Sequence, residues 1–312
     1  MCGIAGYFDK TNNDQAEVGQ TILKMLKALG LRGPDSAGVA IYNHALDGDM
    51  VLRVKMGEEK ASPSFAPTDP FAEKGREITQ RVQNLGTIGE SSATAEYLRL
   101  VVDYEGDPAQ LEQLIEANDP DIEVVSMGQN LEIIKQVGSP ENLEATHAVS
   151  DFVGSHGIGH TRMSTESRID LSHSQPFWAH GYPDLATVHN GHITNYHKLR
   201  RIYEQRGVKF YTENDSEVIG IYLAEQLSNG LSFEEALNAS LTFFDGSFSY
   251  FAATPDAIGY VRDPFALKPL LYTETDDFVA VANEEKAIRA AFDQELDVRE
   301  AGAGEVRIWQ RS

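Results

Sequence analysis

The sequence opens MCGIAGYF, and Cys2 is the one cysteine among 312 residues. With the preceding methionine removed, a cysteine at that position has its α-amine and its thiol on one carbon skeleton. An α-amine titrates ordinarily near about 7.7–8.0, so nucleophile and general base reside in a single residue, in contact directly or through one water. Gly3 is expected to leave room for a substrate beside the sulfur. The competing reading of Cys2 alone is a small buried hydrophobe, a role free cysteine often fills.

Four further stretches carry the remaining parts of an acyl-transfer site. LRGPDSAGVAIY (31–42) places Arg32 and Asp35 in a turn that feeds a strand, and GIGHTRMSTES (157–167) puts Arg162 just past a strand end, followed by small hydroxyl residues. VHNGHITN (188–195) ends a strand with Asn190 and Gly191, and TENDSEVI (212–219) sets Asp215 at a helix start. Acyl transfer from an amino-acid amide needs two donors for an oxyanion, a cation for a carboxylate and an anion for an ammonium. His189, His192 and His197 invite a metal reading, but they straddle a strand end, a loop and a helix start, and no metal is expected there.

Taken in order, MCGIAGYF, RGPDSAG, GHTRMST, HNG-x-I-x-N and END-S-E-V resemble the pattern of the class II glutamine amidotransferase domain. The resemblance spans residues 2–57 and about 155–310. It implies an N-terminal-nucleophile hydrolase with an αββα four-layer sandwich, hydrolysing glutamine to glutamate and ammonia. It also implies a role for each position: Cys2 as nucleophile with its α-amine as base, and Asn190 with Gly191 as the oxyanion hole. Arg162 would meet the substrate α-carboxylate and Asp215 its α-ammonium, Thr165 would line the pocket, and Arg32 and Asp35 would order the terminus. Some relatives carry Trp after the arginine and His after the threonine; here Met163 and Glu166 stand there.

The elements that must position these residues follow from periodicity. GIAGYFD (3–9) reads as a buried strand, and Val18, Ile22, Met25, Leu26 and Leu29 recur at helical spacing ahead of Gly30. SAGVAIYN (36–43) and MVLRVKMG (50–57) read as paired strands turning at Asp47-Gly48. ASPSFAPTDP (61–70) reads as a linker. Beyond it, strand (97–104), helix (108–117), strand (122–128), strand (131–138) and helix (140–149) form a small α/β unit. The expected organisation is therefore one α+β domain, 2–312, with core segments 2–57 and 151–312 and an inserted α/β subdomain at 58–150. In the second core segment, short strands flank helices over 194–207 and 215–227, a third helix opened by a capping box at Ser232–Glu235, and a last one over 283–291. Hairpin-connected strands before and after helices argue for a layered sandwich rather than a parallel nucleotide-binding sheet, and GSHGIG fits no phosphate loop.

Composition removes several function classes. With 26 basic and 48 acidic residues the net charge is −22, which repels nucleic acid and anionic membranes. No apolar run approaches the ~20 residues of a membrane span, and the start lacks the features of a signal peptide, so a cytoplasmic location is expected. One cysteine excludes an intrachain disulfide and an iron–sulfur cluster held by this chain alone. The amidotransferase pattern occupies both ends, and no pyrophosphatase loop, phosphoribosyl-binding motif or sugar-isomerase domain is visible, so the ammonia acceptor is expected on another polypeptide. RDPFALKPLLYTETD (262–276), with GHTRMSTES, is most similar to free-standing amidotransferase subunits of split glutamate synthases. That implies glutamine as substrate, a partner synthase carrying FMN and iron–sulfur clusters, and no cofactor in this chain. N-methylglutamate synthase or another amidotransferase is the alternative acceptor. A catalytically silent glutamine sensor is the reading from another class, and an intact Cys2 set speaks against it.

Overall fold

The structure is a computed structural model that describes residues 2–43, 49–58, 71–117, 119–164 and 168–311. The expected turn at Asp47-Gly48, the linker 61–70, and Thr165 and Glu166 lie outside these residues.

Two antiparallel sheets packed face to face form the centre. The larger holds β1 (Gly3–Asp9), β2 (Ser36–Tyr42), β7 (Leu131–Val137), β8 (His156–Arg162), β13 (Leu271–Glu274), β14 (Phe278–Ala282) and β15 (Arg299–Glu300), in the order β15-β13-β14-β1-β8-β2-β7. The second holds β9 (Phe177–Trp178), β10 (Ala186–Ile193), β11 (Gly246–Thr254), β12 (Ala257–Arg262) and β16 (Val306–Gln310), in the order β16-β12-β11-β10-β9. Strand periodicity sorts the side chains. From β1, Ile4 and Phe8 join Val279 and Val281 of β14 and Phe251 and Ala253 of β11 between the sheets. Ala5 and Tyr7 point the other way, onto Ile22, Met25 and Leu26 of α1 (Val18–Leu29). Two further helices, α4 (Pro140–His147) and α8 (Glu285–Ala291), share that outer layer. On the far side, Phe248, Tyr250 and Ala252 of β11 pack under α5 (Tyr196–Gln205), α6 (Glu217–Ser228) and α7 (Phe233–Phe243). The result is the expected α+β, αββα order. The capping box at Ser232 and Glu235 is present at the start of α7.

The middle of the chain departs from the expected layout. β3 (Asp49–Lys55) pairs with β5 (Tyr97–Asp103) and β6 (Glu123–Gly128) in a third sheet completed by β4 (Thr87–Thr94). It does not pair with β2, which runs between β8 and β7. Every residue of β2 is buried, and a strand buried on both faces needs two partners and takes them from the main sheet. β3 instead carries Arg53 and Lys55, whose charges meet Glu132 and Glu123. The third sheet thus begins at Asp49 and ends at Gly128, while β7 and α4, placed in the 58–150 unit by sequence, belong to the main sandwich. Its cover is α2 (Ala72–Gln83) and α3 (Pro108–Ile115), whose Ile78, Val82, Leu111 and Ile115 extend the inter-sheet core. No helix among the described residues is long and apolar enough to cross a membrane.

Polar contacts cross between the two central sheets, among them one from His160 of β8, whose Nε2 donates to the carbonyl of His189 in β10 at 3.2 Å. Burial, and then the nearby Arg162, push the His160 pKa down to about 3. The folded protein therefore keeps this ring neutral below about pH 6.5, where the unfolded chain takes up a proton, and stability falls as pH falls through that window. A His160→Gln variant, which retains an N–H donor, should show a stability profile flatter by about 1.4 kcal/mol per pH unit between about pH 6 and about pH 4. Urea unfolding across pH measures this, and parallel profiles for the two proteins would contradict it.

Candidate active site

The backbone of Cys2 is fixed from three directions. β1 begins opposite Thr161 of β8, and a Cβ on Gly3 would stand 2.7 Å from Thr161 Oγ1 and 2.9 Å from Leu29 Cβ. The glycine therefore admits α1 and β8 to close approach, where the sequence suggested room for substrate. Arg32 donates from Nε to the Cys2 carbonyl (3.1 Å) and from Nη1 to Glu284 (2.5 Å). Within β1, the Ile4 N–H donates to the side chain of Asn283, just past β14, whose Nδ2 donates to the Pro269 carbonyl (3.0 Å). The Cys2 side chain remains half-buried, with the Met163 carbonyl 3.9 Å from Sγ.

The turn holding Arg32 also shapes the end of β8. A Cβ on Gly33 would lie 2.4 Å from the Thr161 carbonyl carbon and 2.5 Å from the Arg162 nitrogen, so only glycine allows this contact. Asp35 donates its N–H to the Arg162 carbonyl (3.0 Å) and accepts from the Ser164 N–H through Oδ2 (2.7 Å). Arg32 thus bonds the Cys2 carbonyl and Asp35 the end of β8, and neither lines the cavity beyond them.

That cavity, about 770 Å³, brings together Cys2 and Arg162 from the first sheet, Asn190 and Gly191 from β10, and Asp215 from the turn into α6. Thr165, the remaining expected member, lies outside the described residues. Arg162 is 4% exposed, and its Nη1 donates to the Arg168 carbonyl (2.8 Å). Burial lowers its pKa, against the opposing pull of Cys2, Asp170 and Asp35, and a guanidinium stays charged throughout. Asp215 is oriented by the Ile193 N–H, which donates to Oδ2 at 2.9 Å. Asn190 is also 4% exposed, and its side-chain nitrogen is buried with no hydrogen-bond partner among the described residues. A buried donor left unpaired is costly, so one on a residue that lines a cavity marks a place for an acceptor. Gly191 adopts φ +136°, and a Cβ there would fall 2.2 Å from the Ser247 carbonyl oxygen.

Several cavity residues escaped the sequence reading. Gln175 accepts from the His189 N–H (2.6 Å) and donates to Ser216 Oγ (3.0 Å), which lies 2.8 Å from His189 Nδ1. This network fixes the middle of β10 against the start of α6. Lys268 also lines the cavity. It is delivered by the RDPFALKP motif, in which Arg262 donates to the Lys268 (3.1 Å) and Ala266 (2.9 Å) carbonyls and Asp263 accepts from Phe248 and Phe265 N–H groups. That motif was visible in the sequence; its use in building the cavity wall was not. His189, His192 and His197 all line the cavity, yet their ligand atoms do not converge. Phe177 and Trp178 are buried packing residues in β9.

Residues 160–290 match the glutamine amidotransferase domain family. A Methanothermobacter thermautotrophicus protein that carries a provisional glutamine amidotransferase name is 37% identical, over 99% of this chain and 100% of its own length. The glutamine amidotransferase-like protein GlxB of Rhizobium meliloti is 36% identical, over 92% of this chain and 91% of its own. Among solved structures, the glutamine phosphoribosylpyrophosphate amidotransferase of B. subtilis superimposes with a TM-score of 0.62 at 18% identity, covering 99% of this chain and 47% of that one. At that identity the likeness speaks for the fold.

The backbone at Gly191 is strained for any other residue, both in its dihedral and in its clearance. Gly191→Ala is expected to destabilise the protein by roughly 1–3 kcal/mol and to displace Asn190 from the cavity. A chemical-denaturation midpoint equal to that of the parent protein would refute the close contact with Ser247.

Proposed function

The chain belongs to the class II glutamine amidotransferase family, an enzyme family, and we propose that Cys2 is the nucleophile with which it hydrolyses glutamine. The thiol sulfur attacks the side-chain amide carbon while the Cys2 α-amine takes the thiol proton, which requires that Met1 be absent. The carbonyl oxygen becomes an oxyanion that accepts hydrogen bonds from Asn190 Nδ2 and the Gly191 N–H. Collapse breaks the C–N bond, the ammonium returns its proton, and ammonia leaves. Water then attacks the γ-glutamyl thioester through the same oxyanion pocket, releasing glutamate and the thiol.

One observation carries this reading: Asn190, whose buried side-chain nitrogen has no hydrogen-bond partner among the described residues, lines the same cavity as Cys2. A preorganised donor of this kind stabilises charge that appears only in the transition state. The substrate's zwitterion is matched by Arg162, a planar fork suited to the α-carboxylate, and by Asp215 for the α-ammonium. Thr165 completes the pocket in this proposal, while Arg32 and Asp35 act as supports.

The ammonia is destined for a partner synthase subunit, which we propose to be of glutamate-synthase type. The support is the similarity of residues 262–276, together with GHTRMSTES, to free-standing subunits of that kind. The glutaminase step needs no prosthetic group from this chain; FMN and iron–sulfur clusters belong, on this reading, to the partner. A cytoplasmic location is part of the same proposal.

Cys2→Ala should abolish ammonia release from glutamine. Asn190→Ala should lower kcat by about 10²–10³-fold, roughly 2.7–4 kcal/mol, with a much smaller change in KM. Steady-state assays of the processed protein decide this. Glutamine hydrolysis by Cys2→Ala, or an unchanged kcat for Asn190→Ala, would sink the assignment.

A further inference from the structure

His173 touches neither Cys2 nor the oxyanion donors, yet it stands between the two loops that carry the cavity's opposite charges. It is 5% exposed. Nδ1 lies 2.6 Å from Asp170 Oδ1, and Nε2 lies 3.1 Å from Glu213 Oε2. Asp170 belongs to the segment that follows β8, a segment tied to the Arg162 guanidinium through the Arg168 carbonyl. Glu213 lines the cavity two residues before Asp215.

The chemistry of the bridge is fixed by its acceptors. An ionised carboxylate offers no hydrogen, so bonds to two carboxylates require an N–H on both ring nitrogens, and only the imidazolium has both. We propose that His173 is a positioning residue whose cationic form ties the Arg162-side loop to the Asp215-side loop, holding the glutamine pocket at the spacing its zwitterionic substrate needs. This rests on reading the cavity as the glutamine site.

The surrounding charges agree. The bond to Asp170 comes first in raising the His173 pKa; burial opposes it, Glu213 adds to it, and Arg162 opposes it again. Asp170 is itself held down to about 2: burial pushes it up, but the bonds from His173 and the charge of Arg168 overcome that. Lys55 and Lys135 of the neighbouring strands, and Glu58, lie round the same carboxylate. A raised histidine pKa means that the bridge is complete at low pH and is lost as pH rises through it. The exposed end at Glu213, whose side chain is 78% exposed, is the arm that lets go.

Glutamine binding without turnover can be followed by calorimetry on Cys2→Ala between about pH 6 and about pH 8.5, where the ammonium of free glutamine stays charged. Affinity is expected to fall on the order of tenfold across this range as the bridge is lost. Adding His173→Gln should leave weak binding with a flat profile. Adding Glu213→Ala, a change at an exposed side chain that does not threaten folding, should flatten the profile in the same way. Profiles that keep the parent's slope in both double variants would overturn the proposal. Absence of glutamine binding by Cys2→Ala at every pH would instead overturn the reading of the cavity, and the bridge's role with it.

Discussion

Chain termini fray unless something holds them, and the nucleophile proposed at residue 2 must be held. This constraint organises the protein. β1 runs in the middle of the main sheet between β14 and β8, so its first residues are hydrogen-bonded on both sides. Gly3 and Gly33 then remove the side chains that would keep α1 and the 30–35 turn away from the end of β8. Arg32 fixes the Cys2 carbonyl, and its other arm is anchored on Glu284. The backbone is locked while the sulfur stays reachable, which is the condition for attack in a fixed geometry.

The second sheet brings the complementary half of the site. Asn190 and Gly191 lie in the second half of β10, and the Gln175, Ser216 and His189 network fixes them against α6. Buried charge then links the third sheet to the segment between Arg162 and Gln175. Lys55 of β3 and Glu123 of β6 pair at 3.1 Å, and both hydrogen-bond Ser172. Burial alone would raise the Glu123 pKa, but Lys55 and Lys135 hold it down to about 2, while burial brings Lys135 down to about 8. Removing one member of such a group strands a buried charge, which costs far more than the pair contributes. The third sheet is therefore wired to the wall of the cavity, whatever further surface it offers.

The sequence made the site more legible than the chain's middle, for physical reasons. The motifs at Cys2, Arg162 and Asp215 are short and sit at strand and helix ends, and the one at Asn190 lies within β10, so local pattern places them, and the cavity contains all four. Pairing of β2 with β3 was inferred from the turn signal at Asp47-Gly48, but β2 is fully buried and takes β7 and β8 as neighbours instead. Neither α2 nor β4 was foreseen; nearly every residue of β4 is exposed, so it lacks the apolar alternation by which a strand is read. Gln175, Ser216 and His173 were invisible because, apart from Asp170 beside His173, their partners lie 14 to 41 residues away and no spacing rule connects them.

The central claim is that the thiol of Cys2, with its own amine free, forms a covalent bond to glutamine's side-chain carbon. Acid-quenched mass spectrometry of the Met1-free protein during glutamine turnover tests it most directly. A γ-glutamyl adduct, equal in mass to glutamine less ammonia, should appear on the peptide that begins with Cys2. Ammonia release with no adduct on that peptide, or with the adduct on another residue, would contradict the account.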